Sequence, residues 1–171
     1  MTLSPQEAQS IARMFIGMLE RESECTRRVL AAMPENQLDY KLGEKGRTAR
    51  ELMWHTAASE VWFSMGIVKG EFPMEGEPAA PATVAEILAW YDQHVPAAIA
   101  NLKTLTPEHL AKEIPFFGMP PMPLVMYMEF WKVHSIHHRG QLSTYLRAMN
   151  ARVPDIYGGS ADEPYQAPAN A

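Results

Sequence analysis

Histidines are concentrated in the stretch HSIHHRGQL, which places three of the six histidines of this chain within residues 134–138. Imidazole nitrogens bind transition metals and also serve as general acids and bases near neutral pH. Around a helix, His134 and His138 lie about 40° apart, whereas His134 and His137 lie about 60° apart on the other side. The spacing by itself leaves both pairs open.

Apolar neighbours indicate which of these histidines face inward. The apolar stripe of this helix lies on the side of His134 that also carries His138, and consists of Tyr127, Trp131, Leu142, Tyr145 and Met149. His137 points to the flank of that stripe, so we expect it at the edge of a site. An earlier helix carries His55 at the centre of its own stripe, which consists of Leu52, Trp62, Phe63 and Gly66.

Three imidazoles that face one helical interior predict a metal site. Each neutral ring needs a donor and an acceptor partner, which an apolar interior does not offer. A divalent cation satisfies three such nitrogens at once and keeps coordination positions open, as in catalytic zinc sites. The sequence therefore predicts that His55, His134 and His138 bind a divalent metal ion.

Two familiar metal motifs do not fit these spacings. Zinc proteases with a helical histidine pair need glutamate directly after the first histidine, and Ser135 occupies that position. Di-iron carboxylate bundles need Glu-x-x-His on two helices, and the last helix has no such pair beside its histidines. Imidazole and water ligation suits zinc, nickel, copper or iron, so the ligands alone do not identify the metal.

Three further polar residues are close to these positions in sequence or lie on apolar stripes. Glu22 lies within the stripe of the first helix, and we consider it as a general base or a partner of a histidine; the alternative is an exposed end of that stripe. Gln141 either orients a metal ligand or a bound water, or belongs to the surface flank. Arg139 points off the stripe, so we expect it in a surface ion pair or a dimer contact.

Helix signals predict the elements that position these residues. Capping boxes open three helices at Ser4-Pro5-Gln6-Glu7, Thr48-Ala49-Arg50-Glu51 and Thr83-Val84-Ala85-Glu86. The first helix should end near Pro34, the second near Gly70, and a last helix should run from about Leu124 to Asn150. The segment 114–123 contains four prolines and is expected to form an irregular loop.

The fold class that follows is all-α: a four-helix bundle over residues 1–150 and a non-helical, Pro/Gly-rich tail over residues 151–171, either draped on the surface or disordered. The chain has 171 residues, of which 47% are hydrophobic, and this suits one domain.

A net charge of -5 without a Lys/Arg block argues against a nucleic-acid partner. Without a leader peptide or a bilayer-spanning apolar run, and with Cys25 as its single cysteine, we expect a soluble, cytoplasmic protein with no membrane partner.

The motifs together resemble the DinB-like family of bacterial four-helix bundles, which includes YfiT-like and thiol-dependent transferase branches. The resemblance covers most of the chain and rests on Thr48-x-x-Glu51-Leu52-x-x-His55, on His134-x-x-x-His138-Arg139-Gly140-Gln141-Leu142, and on the tail from Val153 to Glu163. It implies a divalent metal, commonly nickel or zinc, held by His55, His134 and His138, and often a homodimer.

Three functions are compatible with such a site. Characterised relatives in this family are metal-dependent transferases or isomerases, which favours an enzyme that uses a low-molecular-weight thiol on an electrophilic small molecule. A cation held by neutral imidazoles strongly favours a bound thiolate or hydroxide. The second compatible function is therefore a hydrolase that activates water at the metal. The third is a non-catalytic dimeric bundle that binds a metal or small ligand, since Val133, Ile136 and Gly140 lie on the back of the last helix.

Overall fold

Four long helices make up the body of the protein. The computed structural model describes residues 2–166, and its long helices are α1 (Pro5–Ala31), α2 (Ala49–Lys69), α3 (Val84–Leu102) and α5 (Tyr127–Ala148). Between α3 and α5 lie a short helix and two strands, α4 (Pro107–Ala111), β1 (Glu113–Phe116) and β2 (Met119–Pro123), and single 3-10 turns span Glu35–Gln37 and Leu124–Met126. The predicted all-α four-helix bundle is confirmed.

Local sequence signals set the ends of the first three long helices. The side chains of Ser4, Thr48 and Thr83 each accept a hydrogen bond from the backbone N–H three residues later, and the glutamate at that position accepts one from the backbone N–H of the cap residue. Such caps satisfy backbone donors that the first turn leaves without partners. At the other end of α2, Gly70 ends the helix in the left-handed conformation, with φ of 76°.

The order of the helices around the bundle brings α2 and α5 together. Helix α2 packs between α3 and α5, and α1 packs against α3 and α5 on the opposite side. One contiguous apolar core fills the space among them. As a consequence, α5 is covered on two faces, by α2 and by α1, and its inward residues meet those of α2.

The segment predicted as an irregular loop contains a small antiparallel hairpin. Strands β1 and β2 are joined by Phe117 and Gly118, whose φ values of 44° and 79° place both residues in the left-handed region. Two left-handed residues form the tight turn that matches the twist of a hairpin. The prolines are tolerated because each strand has only one neighbour, so the ladder does not need every backbone N–H.

The tail lies against the bundle over residues 151–166. Its contacts include an ion pair between Asp162 and Arg147 at 2.9 Å and a contact between the Cys25 Sγ and the Ile156 carbonyl at 3.8 Å. The rest of the predicted tail, 167–171, lies outside the described residues. Within residues 2–166, no helix is both long enough and apolar enough to cross a bilayer.

Candidate metal centre

Three histidines from two neighbouring helices meet in the bundle. His55 on α2 and His134 and His138 on α5 each present a ring nitrogen within 4.8 Å of the other two. The Nε2 atoms of His55 and His138 are 3.1 Å apart, and the ring centroids are separated by 4.3 to 5.0 Å. All three side chains are half-buried, so the structure brings the predicted ligand residues together at a partly shielded position.

Oxygen atoms on α2 and on the following loop hold two of the rings. The Nδ1 of His134 lies 3.2 Å from the hydroxyl of Ser59, and the Nδ1 of His55 contacts the carboxylate of Glu77. Metal-binding histidines usually donate the ring N–H that faces away from the metal to such an oxygen, which fixes the tautomer and the ring orientation. With Nδ1 occupied, the Nε2 atom of each ring is left for the centre of the cluster.

Gln141 holds the third ring. Its Oε1 lies 2.8 Å from Nδ1 of His138, and its Nε2 lies 3.1 Å from Nε2 of His137. Gln141 therefore has the geometry of the orienting role considered from the sequence. His137 is exposed at the edge expected from helical spacing, where it contacts Gln141 and where its ring lies edge-on to that of His138, with the centroids 4.8 Å apart.

Two histidines of α5, His134 and His138, are neutral near pH 7. Burial, followed by the neighbouring rings of His138 and His55, lowers the pKa of His134 to about 3. Burial also lowers the pKa of His138 to about 4, although the hydrogen bond with Gln141 opposes this change. Because a metal binds the unprotonated ring, protons do not compete for these two nitrogens at physiological pH.

The arrangement of the nitrogens fits a divalent transition metal. Two nitrogens bound to one tetrahedral zinc ion at about 2.1 Å lie roughly 3.4 Å apart, close to the 3.1 Å between the Nε2 atoms of His55 and His138. If each Nδ1 carries the proton, the two lone pairs face each other without a donor, and a cation satisfies both. Three neutral imidazoles suit zinc or nickel and leave coordination positions open.

An aromatic pocket of about 550 Å³ opens beside the cluster. His55 and His134 line the pocket, together with Ser59 and Glu77. Its apolar lining comes from α2, the proline-rich loop after it, α3 and the hairpin, and includes Trp62, Phe63, Met65, Pro73, Met74, Pro78, Trp90, Phe116 and Phe117. A small apolar or aromatic molecule bound there would therefore lie against the two histidines.

Two tryptophans of α2 hold the proline-rich loop that carries Glu77. The indole N–H of Trp62 donates to the carbonyl of Pro73 at 3.0 Å, and that of Trp54 donates to the carbonyl of Pro78 at 2.6 Å. These bonds fix the loop on both sides of Glu77. Glu77 cannot be recognised from the sequence, since a glutamate in an irregular loop carries no periodic signal that relates it to a distant helix.

A second pocket of about 350 Å³ lies on the side of His138. It is bounded by the loop before α2 and by the last turns of α5, through Leu42, Gly46, Arg47, Leu52, His138, Gln141, Thr144 and Tyr145. Its lining is more polar than that of the aromatic pocket. The histidine cluster therefore has one pocket beside His55 and His134 and another beside His138.

The prediction that Arg139 lies at the surface is wrong. Its side chain is 1% exposed, because α1 covers this face of α5. The guanidinium donates to the Glu22 carboxylate at 2.5 Å and to the Glu22 carbonyl at 3.0 Å, and the Tyr157 hydroxyl contacts both side chains. Glu22 is therefore paired with Arg139, and none of its hydrogen bonds among the described residues goes to a histidine.

A buried carboxyl group on α2 was also not predicted from the sequence. Glu60 on α2 is 1% exposed; one carboxyl oxygen accepts from the Tyr91 hydroxyl at 2.8 Å, and the other has no partner among the described residues. Burial raises the pKa of Glu60 to about 7, against the effect of the Tyr91 hydrogen bond. Its sequence signal is that Glu60 is the only charged residue between Glu51 and Lys69, in a helix buried on most sides.

Comparisons with known proteins identify the family and agree on the fold. The chain is 29% identical over 156 residues to the uncharacterized protein YrdA of Bacillus subtilis (strain 168), which covers 87% of this chain and 89% of YrdA. The crystal structure of a DinB-like protein from Bacillus cereus ATCC 10987 has a TM-score of 0.72 at 23% identity, covering 84% of this chain and 95% of that one. A variant of the mycothiol-dependent maleylpyruvate isomerase has a TM-score of 0.57 at 14% identity, covering 82% of this chain and 61% of that one. The family model for the DinB superfamily matches residues 18–142, and the chain therefore belongs to the DinB superfamily.

Proposed function

We propose that this protein is a metal-dependent enzyme that joins a low-molecular-weight thiol to an electrophilic small molecule. The observation that carries the proposal is the convergence of three imidazole nitrogens, from His55, His134 and His138, beside an aromatic pocket. The maleylpyruvate isomerase with the same fold is mycothiol-dependent, which supports a small thiol as the second substrate.

The residues around the cluster have separable tasks in this proposal. Ser59, Gln141 and Glu77 hold the imidazole rings so that three nitrogens face one point. With a divalent ion held by the three histidines, a coordinated thiol would have a lowered pKa, would release its proton to solvent and would be available as a thiolate nucleophile at neutral pH. Trp62 and Phe117 bind the apolar part of the electrophile and exclude water from the space beside the histidines.

The open side of the cluster favours catalysis over a purely structural metal. Structural zinc sites are closed by four protein ligands, whereas catalytic sites keep at least one position for water or substrate. In the part of the chain that the structure describes, the cluster consists of three histidines, and it adjoins a pocket large enough for a small molecule. Nickel and zinc are the metals we propose, because both accept three imidazoles with open positions.

Metal analysis of untagged protein tests the first half of the proposal. Wild-type protein should contain about one divalent ion per chain after gel filtration. His55→Ala, His134→Ala and His138→Ala should each lose most of this metal, whereas His94→Ala should keep it, because His94 stacks on Trp90 outside the cluster. Wild-type protein without stoichiometric metal, or equal metal content in all four variants, would refute the proposal.

Thiol consumption tests the second half. Metal-loaded protein is mixed with one of several small thiols and an aromatic electrophile, and loss of free thiol is followed with time. We expect a rate that depends on the metal and falls strongly in His134→Ala. A rate that is unchanged by a chelator would contradict a reaction at this centre.

We also propose that the protein forms a homodimer through the outer face of α5. Val133 is 51% exposed there, and Gly140 has open space where a side chain would project. A small apolar surface of this kind favours a second subunit. Sedimentation equilibrium should show a dimer that Val133→Glu dissociates, and a wild-type monomer at all concentrations would refute this arrangement.

A further inference from the structure

One side chain that lines the polar pocket beside His138 carries a positive charge. Arg47 lines this pocket, and within residues 2–166 its guanidinium forms no ion pair. His138 lines the same pocket, so the guanidinium of Arg47 and one ring of the histidine cluster border a common space. A guanidinium in this position attracts an anionic group on a molecule that reaches the metal centre.

The loop that carries Arg47 is fixed by several contacts. The Tyr145 hydroxyl donates a hydrogen bond to the Arg47 carbonyl at 2.7 Å. The same hydroxyl accepts a hydrogen bond from the backbone N–H of Leu42 at 3.3 Å. A side chain at Gly46 would place its Cβ only 2.9 Å from the Leu42 carbonyl oxygen and 3.2 Å from the Tyr145 hydroxyl, so the close approach of this loop requires glycine.

A bridge at the ends of this loop adds to its definition. Lys41 pairs with Thr48 as an isolated antiparallel bridge, and Thr48 is also the N-cap of α2. The backbone of Arg47 is therefore held between a β-bridge and a helix cap. A positive charge on such a defined loop is better suited to binding a specific ligand than one on a free surface segment.

We propose that the polar pocket binds the thiol substrate through a carboxylate on that substrate, which Arg47 recognises. The thiol then approaches the metal centre from the side of His138, and the electrophile approaches from the aromatic pocket beside His55 and His134. The inference rests on the proposed function and adds the chemical class of the thiol. It also assigns the two substrates to two different pockets, with the histidine cluster between them.

The chemistry of the two pockets supports this assignment. A carboxylate forms paired, charge-assisted hydrogen bonds with a guanidinium, and the hydroxyl of Thr144 and the amide of Gln141 add polar groups to the same pocket. The apolar side chains of the aromatic pocket offer no such hydrogen bonds to a carboxylate. The carboxylates of Glu75 and Glu77, which also line this pocket, repel it. The charge distribution therefore separates an anionic thiol from an apolar electrophile.

The main test uses cobalt(II)-loaded protein and two matched thiols. Mercaptobutyrate and mercaptobutanol, each with a terminal thiol, differ in the carboxylate, and thiol coordination is followed by the cobalt–sulfur absorption band. Wild-type protein should bind mercaptobutyrate about tenfold more tightly than mercaptobutanol. Arg47→Gln should remove this preference. Lys45→Gln should keep it, because Lys45 is exposed and positively charged like Arg47 but lies outside the pocket.

A second measurement separates this inference from the proposed function. Metal-free protein is titrated with mercaptobutyrate, and the backbone amide signals of Thr144 and Tyr145 are followed by NMR. Saturable shifts in wild type that Arg47→Gln abolishes support the anion site, even if cobalt-loaded protein binds neither thiol and the proposed function fails. In the cobalt assay, equal affinities of wild type for the two thiols, or a preference that survives in Arg47→Gln, would overturn the inference. In the NMR titration, the absence of saturable shifts in wild type would also overturn it.

Discussion

The buried carboxyl group of Glu60 makes a specific prediction about stability and pH. In the folded protein its pKa is raised from 4.5 to about 7, mainly by burial. Between these two values the folded chain holds a proton that the unfolded chain has released, so the free energy of unfolding decreases as pH rises. Glu60→Gln removes this titration and keeps an oxygen that can accept from the Tyr91 hydroxyl.

The expected size follows from the change in pKa. One pKa unit corresponds to about 1.4 kcal/mol, so the Glu60 carboxyl group lowers wild-type stability by about 3 kcal/mol between roughly pH 4.5 and pH 8. The Gln variant lacks this loss, so its stability relative to wild type should increase by about the same amount over that range. The lowered pKa values of His134 and His138 reduce stability toward acid pH instead, and they act equally in both proteins.

Urea unfolding of metal-free protein, measured at several pH values, tests this reasoning. The quantity of interest is the difference in the free energy of unfolding between Glu60→Gln and wild type at each pH, in which contributions common to both proteins cancel. Glu24→Gln is the matched control, because it removes one carboxylate from an exposed position on α1. A difference that stays constant from pH 4.5 to pH 8, or one that matches the Glu24→Gln control, would refute the assignment of Glu60 as a buried group with a raised pKa.

Three further substitutions test the packing that supports the site, each measured by urea unfolding. Arg139→Met leaves the Glu22 carboxylate without its buried cation and should lower the free energy of unfolding by about 4 kcal/mol, and an effect below 1 kcal/mol would contradict the buried ion pair. Gly66→Ala makes its new Cβ overlap with the Phe72 ring and should cost about 2 kcal/mol through overpacking; an unchanged stability would show that Phe72 moves freely. Thr48→Ala removes the N-cap of α2 and should cost about 1 kcal/mol, whereas Thr48→Ser should retain most of the stability.

The sequence by itself determined the helices and the direction of their histidines. Capping boxes at Ser4, Thr48 and Thr83 act through contacts within four residues, so they can be identified without knowing the rest of the fold. The inward direction of His134 and His138 likewise follows from the helical repeat and from apolar residues on the same helix.

Only the tertiary structure decided which groups surround these histidines and which charges are buried. Glu77 reaches His55 because tryptophans of α2 hold a proline-rich loop, and no local pattern encodes that contact. Arg139 is buried because α5 packs against two helices, whereas a single apolar stripe predicts only one buried face. Hydrophobic periodicity reports the average direction of the core, but the partners of an individual polar group depend on residues that are distant in the chain.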